Sequence, residues 1–503
     1  MDVEIDRASS VPLYLQISHR IRELILSGSL PEGFRLPPER TLANRLGVNR
    51  STVLSAYREL KADALVGAHV GQGTTVLPRS PGAPGGATGN EGMPWRQLFR
   101  QGKSPPHDPL VRDLLELSER EDVITLSIGM PAPDSLPLAI FRELNEELLR
   151  EIGPALLLHS PTEGLTTLRE TLSTLMTAQG MPCASSEILV LSGSQQGLDV
   201  AARVFLEPGD AVVVEEPSYF GALQAFRAAQ ARLVGIPTDE QGLRTDLLAG
   251  VLERHRPKLI YTLPTFQNPS GVVMSLERRR ELLELSHRHQ VPVLEDDPYF
   301  ELRYDGEGIP SLRSLDEGGN VLHLTTASKV LFPGLRLGWL LAPRPVVRQA
   351  ALVKQTLDLH SNSAGQWILD RFIRDGYYEP HLERVRRLYA RRCDAMDAAL
   401  HRDAPDGLVW RKPEGGFYFW CRLPENVERS RLITRAADAG VSFLPGWSCY
   451  VDPPSESYVR LNFTYPPAER IPEGVARFLA AIRDISTRAR PAALREGGTP
   501  PIV

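Results

Sequence analysis

From Ile188 to Asp297 the chain switches repeatedly between short apolar runs and helical periods, and that alternation limits the folds open to it. ILVLSG is followed by QQGLDVAARVFL, DAVVVEE by SYFGALQAF, and the runs KLIYTL and VPVLEDD flank LERRRELLELSHRH. Apolar runs too short for buried helices, each followed by an amphipathic period, predict an α/β domain with a mainly parallel sheet. Ligands of such sheets sit beyond the carboxyl ends of the strands. The residues just after each run are therefore where chemistry is expected.

The most informative of these places is Thr325 to Trp339, TTASKVLFPGLRLGW, where Lys329 is followed by Arg336 across a Pro-Gly turn. An amine attacks a carbonyl only when neutral, and desolvation beside a second cation lowers a lysine pKa. Lys329 fits a Schiff-base lysine for a phosphorylated aldehyde. Arg336 suits either that second cation or a two-pronged phosphate contact, with Thr326 and Ser328 offering hydroxyls to the same oxygens.

Other strand ends add to this. Gly193, Ser194 and Gln195 open a helix after a strand, where free N–H groups favour an anion. Tyr219 in EEPSYFG is placed to stack on a flat heteroaromatic ring. Asn268 in TFQNPSG either donates to a phenolate oxygen or makes an Asx-turn. In VPVLEDDPYF, Asp296 is the expected partner of a pyridinium nitrogen, with Asp297 as the competing residue, and Tyr299 shares the phenolate with Asn268. Arg460, in the strand SYVRLNF, is an expensive guanidinium to bury unless a carboxylate meets it.

These are the requirements of pyridoxal 5'-phosphate chemistry. In this order GSQQG, EEPSY, QNPSG, EDDPY, SK…PGLRLGW, PEGGFYFW and YVRLNF resemble the fold type I aminotransferases, nearest the aminoadipate and kynurenine aminotransferase subgroup, from about Ile128 to Phe463. The resemblance implies a large domain with a small C-terminal α+β domain and head-to-tail homodimers with the active site at the subunit interface. It implies that Lys329, Asp296 and Tyr219 serve catalysis, Lys329 as Schiff base and proton carrier, and that Arg460 binds a substrate α-carboxylate. Gly129, Met130 and Asn268 lie towards the substrate side. LLHSPTEGLTTLR has His159 where the family usually has a tyrosine that reaches the cofactor phosphate of the neighbouring subunit.

The N-terminal segment is of another kind. From Arg7 to Arg79 there are 10 Lys and Arg against 5 Asp and Glu, although the whole chain carries a net charge of -5. A basic segment on an acidic protein suits a polyanion. Leu13, Ile17, Ile21, Leu24 and Ile25 place a stripe on a helix over Pro12 to Ser27, PERTLANRLG forms a second helix ending at Gly47, and Asn49 caps a third with Val53, Tyr57 and Leu60 inward. Leu65 to Leu77, with its Gly-Gln-Gly tip, reads as a hairpin. PLYLQISHRIRELILSGSLPEGFRLPPERTLANRLGVNRSTVLSAYREL resembles the winged helix-turn-helix of GntR-family transcription factors, with Pro38 where a capping Ser or Thr is usual. By that resemblance Arg35, Arg40, Arg50, Ser51 and Thr52 contact double-stranded DNA.

The segments expected are 1–79 for the reader, a Gly/Pro-rich linker over 80–118 whose later part docks through Trp95, Leu98, Phe99, Leu110, Leu114 and Leu115, the aminotransferase-like domain over 119–490, and a tail over 491–503. A GntR reader joined to such a body resembles the MocR subgroup of regulators. It implies a regulator that senses pyridoxal phosphate or an amino compound, with two half-sites in the operator, or else a working aminotransferase that carries a DNA-binding head. Cys183, Cys393, Cys421 and Cys449 lack ligand spacing, so neither a metal site nor a disulfide framework is expected. With no apolar leader and no run long enough to span a bilayer, a cytoplasmic protein without membrane contact is expected.

Overall fold

The computed structural model of the protein describes residues 5, 13–26, 29–62, 65–69, 73–77, 120, 122–452 and 454–488. The linker 80–118 with its apolar docking residues, the tip of the hairpin and the tail 491–503 lie outside the described residues. The chain divides into two compact units, Met1–Gln101 and Gly102–Val503.

In the first unit, α1 (Leu13–Leu26) lays Ile17, Ile21 and Ile25 against Val53, Tyr57 and Leu60 of α3 (Arg50–Ala62), and α2 (Glu39–Leu46) adds Leu42. Gly47 closes α2 in the left-handed region, φ 62°. Pro38 gives α2 no side-chain cap. The Tyr57 hydroxyl instead donates to the Pro37 carbonyl at 2.7 Å and pins the entry of α2 to α3. Strands β1 (Val66–His69) and β2 (Gly73–Val76) pair antiparallel, Val66 opposite Val76.

The second unit is built on an eight-stranded sheet in the order β4-β11-β10-β9-β8-β5-β6-β7. Its strands are β4 (Ile188–Leu191), β5 (Ala211–Glu216), β6 (Arg232–Asp239), β7 (Gly242–Leu243), β8 (Leu259–Thr262), β9 (Val293–Asp296), β10 (Val321–Thr326) and β11 (Gly338–Leu341). Neighbours from β10 through β9, β8 and β5 to β6 run parallel, while β11 is antiparallel to both β10 and β4. The side chains of β4, β8 and β9 are buried on both faces, as in helix-covered sheets, whereas β6 is largely half-buried or exposed.

A second sheet has the order β12-β13-β15-β14-β3, with β3 (Ile124–Leu126), β12 (Val409–Trp410), β13 (Tyr418–Arg422), β14 (Val441–Pro445) and β15 (Tyr458–Asn462). β3 comes first in the unit yet pairs parallel with β14, Ile124 opposite Val441. That pairing carries Ser127 and Gly129 towards β15, which holds Arg460. Among the described residues, no helix is long and apolar enough to cross a membrane.

Candidate functional site

The carboxyl ends of β4, β5, β8, β9 and β10 meet at one cavity of about 250 Å³, which Gly129, Ser194, Gln195, Tyr219, Asn268, Asp296, Tyr299, Thr326, Ser328, Lys329, Arg336 and Arg460 all line. Tyr418 from β13 closes it from the second sheet.

Lys329 follows β10 in a short 3-10 turn, and its Nζ donates to the Gly129 carbonyl at 2.7 Å. Burial lowers its pKa; Tyr418 and Asp296 oppose the shift, and Arg460 and then Arg336 add to it. The second cation expected at Arg336 is thus chiefly Arg460.

Arg336 serves the other end of the cavity. Its Nη1 lies 3.4 Å from Ser328 Oγ, and a Cβ on Gly193 would come within 2.6 Å of its Nη2. Gly193 also has φ 89°, so position 193 needs glycine twice over. With Ser194 opening the helix Ser194–Phe205, the turn and Arg336 form a positive cradle open to an anion. Thr326 differs from expectation: its hydroxyl donates to the Leu337 carbonyl at 2.8 Å and fixes the Lys329 turn.

Asp296 and Asp297 are separated by the pleat. Asp297 points away from the cavity into a buried cluster with Glu295 and His323, where His323 Nδ1 is 2.9 Å from Glu295. Asp296 faces the cavity; its Oδ2 accepts from the Tyr261 hydroxyl at 2.8 Å, while its Oδ1, buried, has no partner. Burial pushes the Asp296 carboxyl up to about 6 against the pull of Tyr261, Lys329 and His323. An ionisable oxygen left open in a buried cleft fits a protonated ring nitrogen.

Asn268 makes no Asx-turn. Its Oδ1 accepts from Arg460 Nη1 at 2.8 Å, which leaves Nδ2 as the free donor, and Gln267 makes the local turn by accepting from the Ser270 N–H at 2.8 Å. Tyr299 donates to the Tyr418 hydroxyl at 3.0 Å, and the Tyr219 hydroxyl donates to Gln195 Oε1 at 3.2 Å.

Arg460 is 3% exposed. Its Nη2 donates to the Ser127 carbonyl at 2.9 Å, its Cζ lies 4.0 Å from the Tyr418 ring centre, and its Nε has no partner. No carboxylate among the described residues pairs with it.

His159 does not line the cavity; its Nδ1 lies 2.7 Å from His360 Nε2 on the exposed side of the unit. In the reader Arg35, Arg40 and Arg50 are exposed and Thr52 is half-buried. Arg50 pairs with Glu39 at 3.0 Å. The Ser51 side chain lies outside the described residues.

Sequence reasoning missed Tyr418, Tyr261 and Ser127. Tyr418 stands in PEGGFYFW, where only the motif was visible, and Tyr261 sits in an apolar run that reads as core. A phosphorylated pyridine aldehyde fits what is present: an open carboxylate oxygen for the ring nitrogen, a cradle that a Cβ would fill, and a buried amine between them.

The comparisons bear on the family and the fold. The family of aminotransferases class I and II matches residues 121–478, and the gntR family of bacterial regulatory proteins matches residues 13–76. Aromatic-amino-acid aminotransferase 1 of Thermococcus litoralis is 40% identical over 74% of this chain and 91% of its own. The probable rhizopine catabolism regulatory protein MocR of Rhizobium meliloti is 31% identical over 88% of each chain. Pyrococcus horikoshii kynurenine aminotransferase, solved in complex with PMP, superposes with a TM-score of 0.74 at 39% identity, covering 77% of this chain and 98% of its own. A gntR-family reader joined to a fold type I aminotransferase domain, whose family cofactor is pyridoxal 5'-phosphate, places this chain in the MocR subgroup of GntR-family regulators.

Proposed function

We propose that this protein is a cytoplasmic transcriptional regulator that holds pyridoxal phosphate at Lys329 and senses an amino compound bearing a carboxylate. The observation that carries this reading is Arg460, a buried guanidinium with no carboxylate partner among the described residues. Burying such a charge is costly unless a ligand meets it.

When bound, the cofactor supplies an aldehyde that condenses with primary amines and a ring that withdraws electrons. Asp296 Oδ1 holds the proton on the ring nitrogen. Asn268 Nδ2 donates to the phenolate oxygen, with Tyr299 turning its hydroxyl from Tyr418 to the same atom. Tyr219 covers the ring face. Gly193, Ser194, Gln195, Ser328 and Arg336 hold the phosphate, and Thr326 shapes that wall. Lys329, its pKa lowered by burial, would hold the aldehyde and carry a proton on the Gly129 side of the cleft. Arg460 binds the carboxylate beside Asn268.

Two such bodies form a head-to-tail homodimer, His159 reaching the phosphate of the neighbouring subunit. A ligand that prefers one arrangement of the bodies must shift the heads as well. Two heads call for two operator half-sites, contacted through Arg35, Arg40, Arg50, Ser51 and Thr52. The segments are 1–79 for the reader, 80–118 for the linker, 119–490 for the body and 491–503 for the tail. The test titrates the loaded protein with a panel of amino acids by visible absorbance, then measures mobility shifts on duplexes selected from a random pool. A ligand that changes the spectrum should change DNA affinity; one that changes only the spectrum would sink the sensing role.

A second reading, a working aminotransferase with a DNA-binding head, is favoured by the full set of polar groups around Lys329 and by the 40% identity to an aminotransferase. Repeated turnover with an amino acid and a 2-oxo acid decides for it.

A further inference from the structure

We propose that Asp358 and Lys354 are positioning residues for the phosphate end of the cleft: an ion pair of a buried lysine and a half-buried carboxylate that clamps both flanks of the Gly193 turn while cancelling the charge of its own carboxylate. The inference rests on the reading of this cleft as a site for a phosphorylated aldehyde.

The turn is held from behind. Ser192, just before Gly193, donates through Oγ to Asp358 Oδ2 at 2.7 Å, and Gln196, in the first turn of the following helix, donates through Nε2 to the same oxygen at 2.8 Å. Gln196 Oε1 also accepts from the Ser192 N–H at 2.7 Å, so one carboxylate oxygen and one amide close a ring around the turn. Asp358 Oδ1 takes Lys354 Nζ at 2.8 Å, four residues back on the helix Arg344–Asp358, and the Lys354 side chain is 0% exposed. Leu359, the next residue, has φ 60° without being glycine, and the chain beyond it brings Ser361 Oγ to 3.2 Å from Ser192 Oγ. A non-glycine residue in that region persists only where its surroundings fix it.

Charge explains the pairing. Burial pushes the Asp358 carboxyl up, but the bonds from Lys354, Ser192 and Gln196 outweigh it and hold the group below its ordinary value. A full negative charge directly behind a turn that cradles an anion would oppose that anion. Lys354 removes the opposition and keeps the clamp.

The two members therefore differ in the size of their effect. Lys354→Met leaves the carboxylate uncompensated and should weaken pyridoxal phosphate about tenfold, while pyridoxal, which lacks the phosphate, binds as before. Asp358→Asn loosens the clamp but leaves a cation, so its loss should be smaller, and the double variant should regain most of what Lys354→Met loses. Affinities are read by absorbance titration of the full chain with both vitamers, with circular dichroism as the check on folding. Equal changes for the two vitamers, or a folded Lys354→Met protein within about twofold of the parent, would overturn the proposal. Should Lys354→Met not fold, Ser192→Ala decides: a loss confined to pyridoxal phosphate supports the clamp, and none overturns it. A parent protein that binds neither vitamer overturns the underlying reading of the cleft instead.

Discussion

The reader and the body place their working groups on opposite sides of the water boundary. In the reader the core is built on Ile17, Ile21, Leu42, Val53 and Leu60, the hydroxyls of buried Ser18 and Tyr57 donate to backbone carbonyls, and the arginines expected on DNA stand outside it. In the body the groups proposed to work are buried ones: Asp296, Tyr299 and Arg460 are each at most 3% exposed, and Asp296 Oδ1 and Arg460 Nε lack partners among the described residues. The reader can therefore lose function without losing stability. On the proposed reading, the body gives up stability in the cleft to hold charges that a ligand completes.

Lys329→Ala tests that contrast most severely. Visible absorbance on adding pyridoxal phosphate, and the borohydride-fixed adduct by mass spectrometry, should vanish entirely. The melting temperature of the cofactor-free protein should not fall, because the change removes a buried amine whose hydrogen bond among the described residues is to the Gly129 carbonyl. Arg460→Met comes next: amino-acid affinity measured by spectral titration should drop by about a hundredfold, while pyridoxal phosphate still binds. A large fall in melting temperature for either variant would break the comparison.

A third test uses pH. Asp296 is held at about 6 against an ordinary 3.8 by burial, so the folded cofactor-free protein keeps a proton that the unfolded chain has already released. That stability is present at low pH and is lost as pH rises through the interval from 3.8 to about 6. Asp297 and Glu215, each raised to about 7 chiefly by burial, act with the same sign. A ring cation at Asp296 Oδ1 cancels only the first of these contributions. The gain in melting temperature on adding cofactor should thus grow across that interval and level off above about 6. Asp296→Asn should flatten the curve, and a parent curve already flat would remove Asp296 from the ring nitrogen.

How much of this could be read from the residues follows from the range of each contact. The strand-end groups were legible because each follows an apolar run of its own, and parallel topology brings such ends together whatever the loops do. The helix boundaries of the reader were legible for the same local reason, with Gly47 ending α2 as its position predicts. What was not legible depends on partners far along the chain. β3 enters the sheet of β14, and only that pairing puts the Ser127 carbonyl on Arg460. Tyr261 looks like core until its hydroxyl is seen on Asp296. The Thr326 hydroxyl looked available because its competitor, the Leu337 carbonyl, lies across a turn whose closure no local pattern specifies.

The smallest effect sharpens the other half of the comparison. Arg50 sits at the first turn of α3, exposed, and pairs with Glu39 of α2 at 3.0 Å. An exposed pair of this kind contributes between nothing and about 1 kcal/mol, so Arg50→Ala should leave the melting temperature nearly unchanged. If Arg50 exchanges Glu39 for a phosphate, its removal should weaken DNA binding by roughly tenfold and lower the slope of log affinity against log salt by about 1. Glu39→Gln separates the two roles of the pair. Freed of its carboxylate, Arg50 should bind DNA as well as before or slightly more tightly, with the salt slope unchanged. If Glu39→Gln weakens binding as much as Arg50→Ala does, the pair is what orients α2 against α3, and function in the reader is tied to its packing after all.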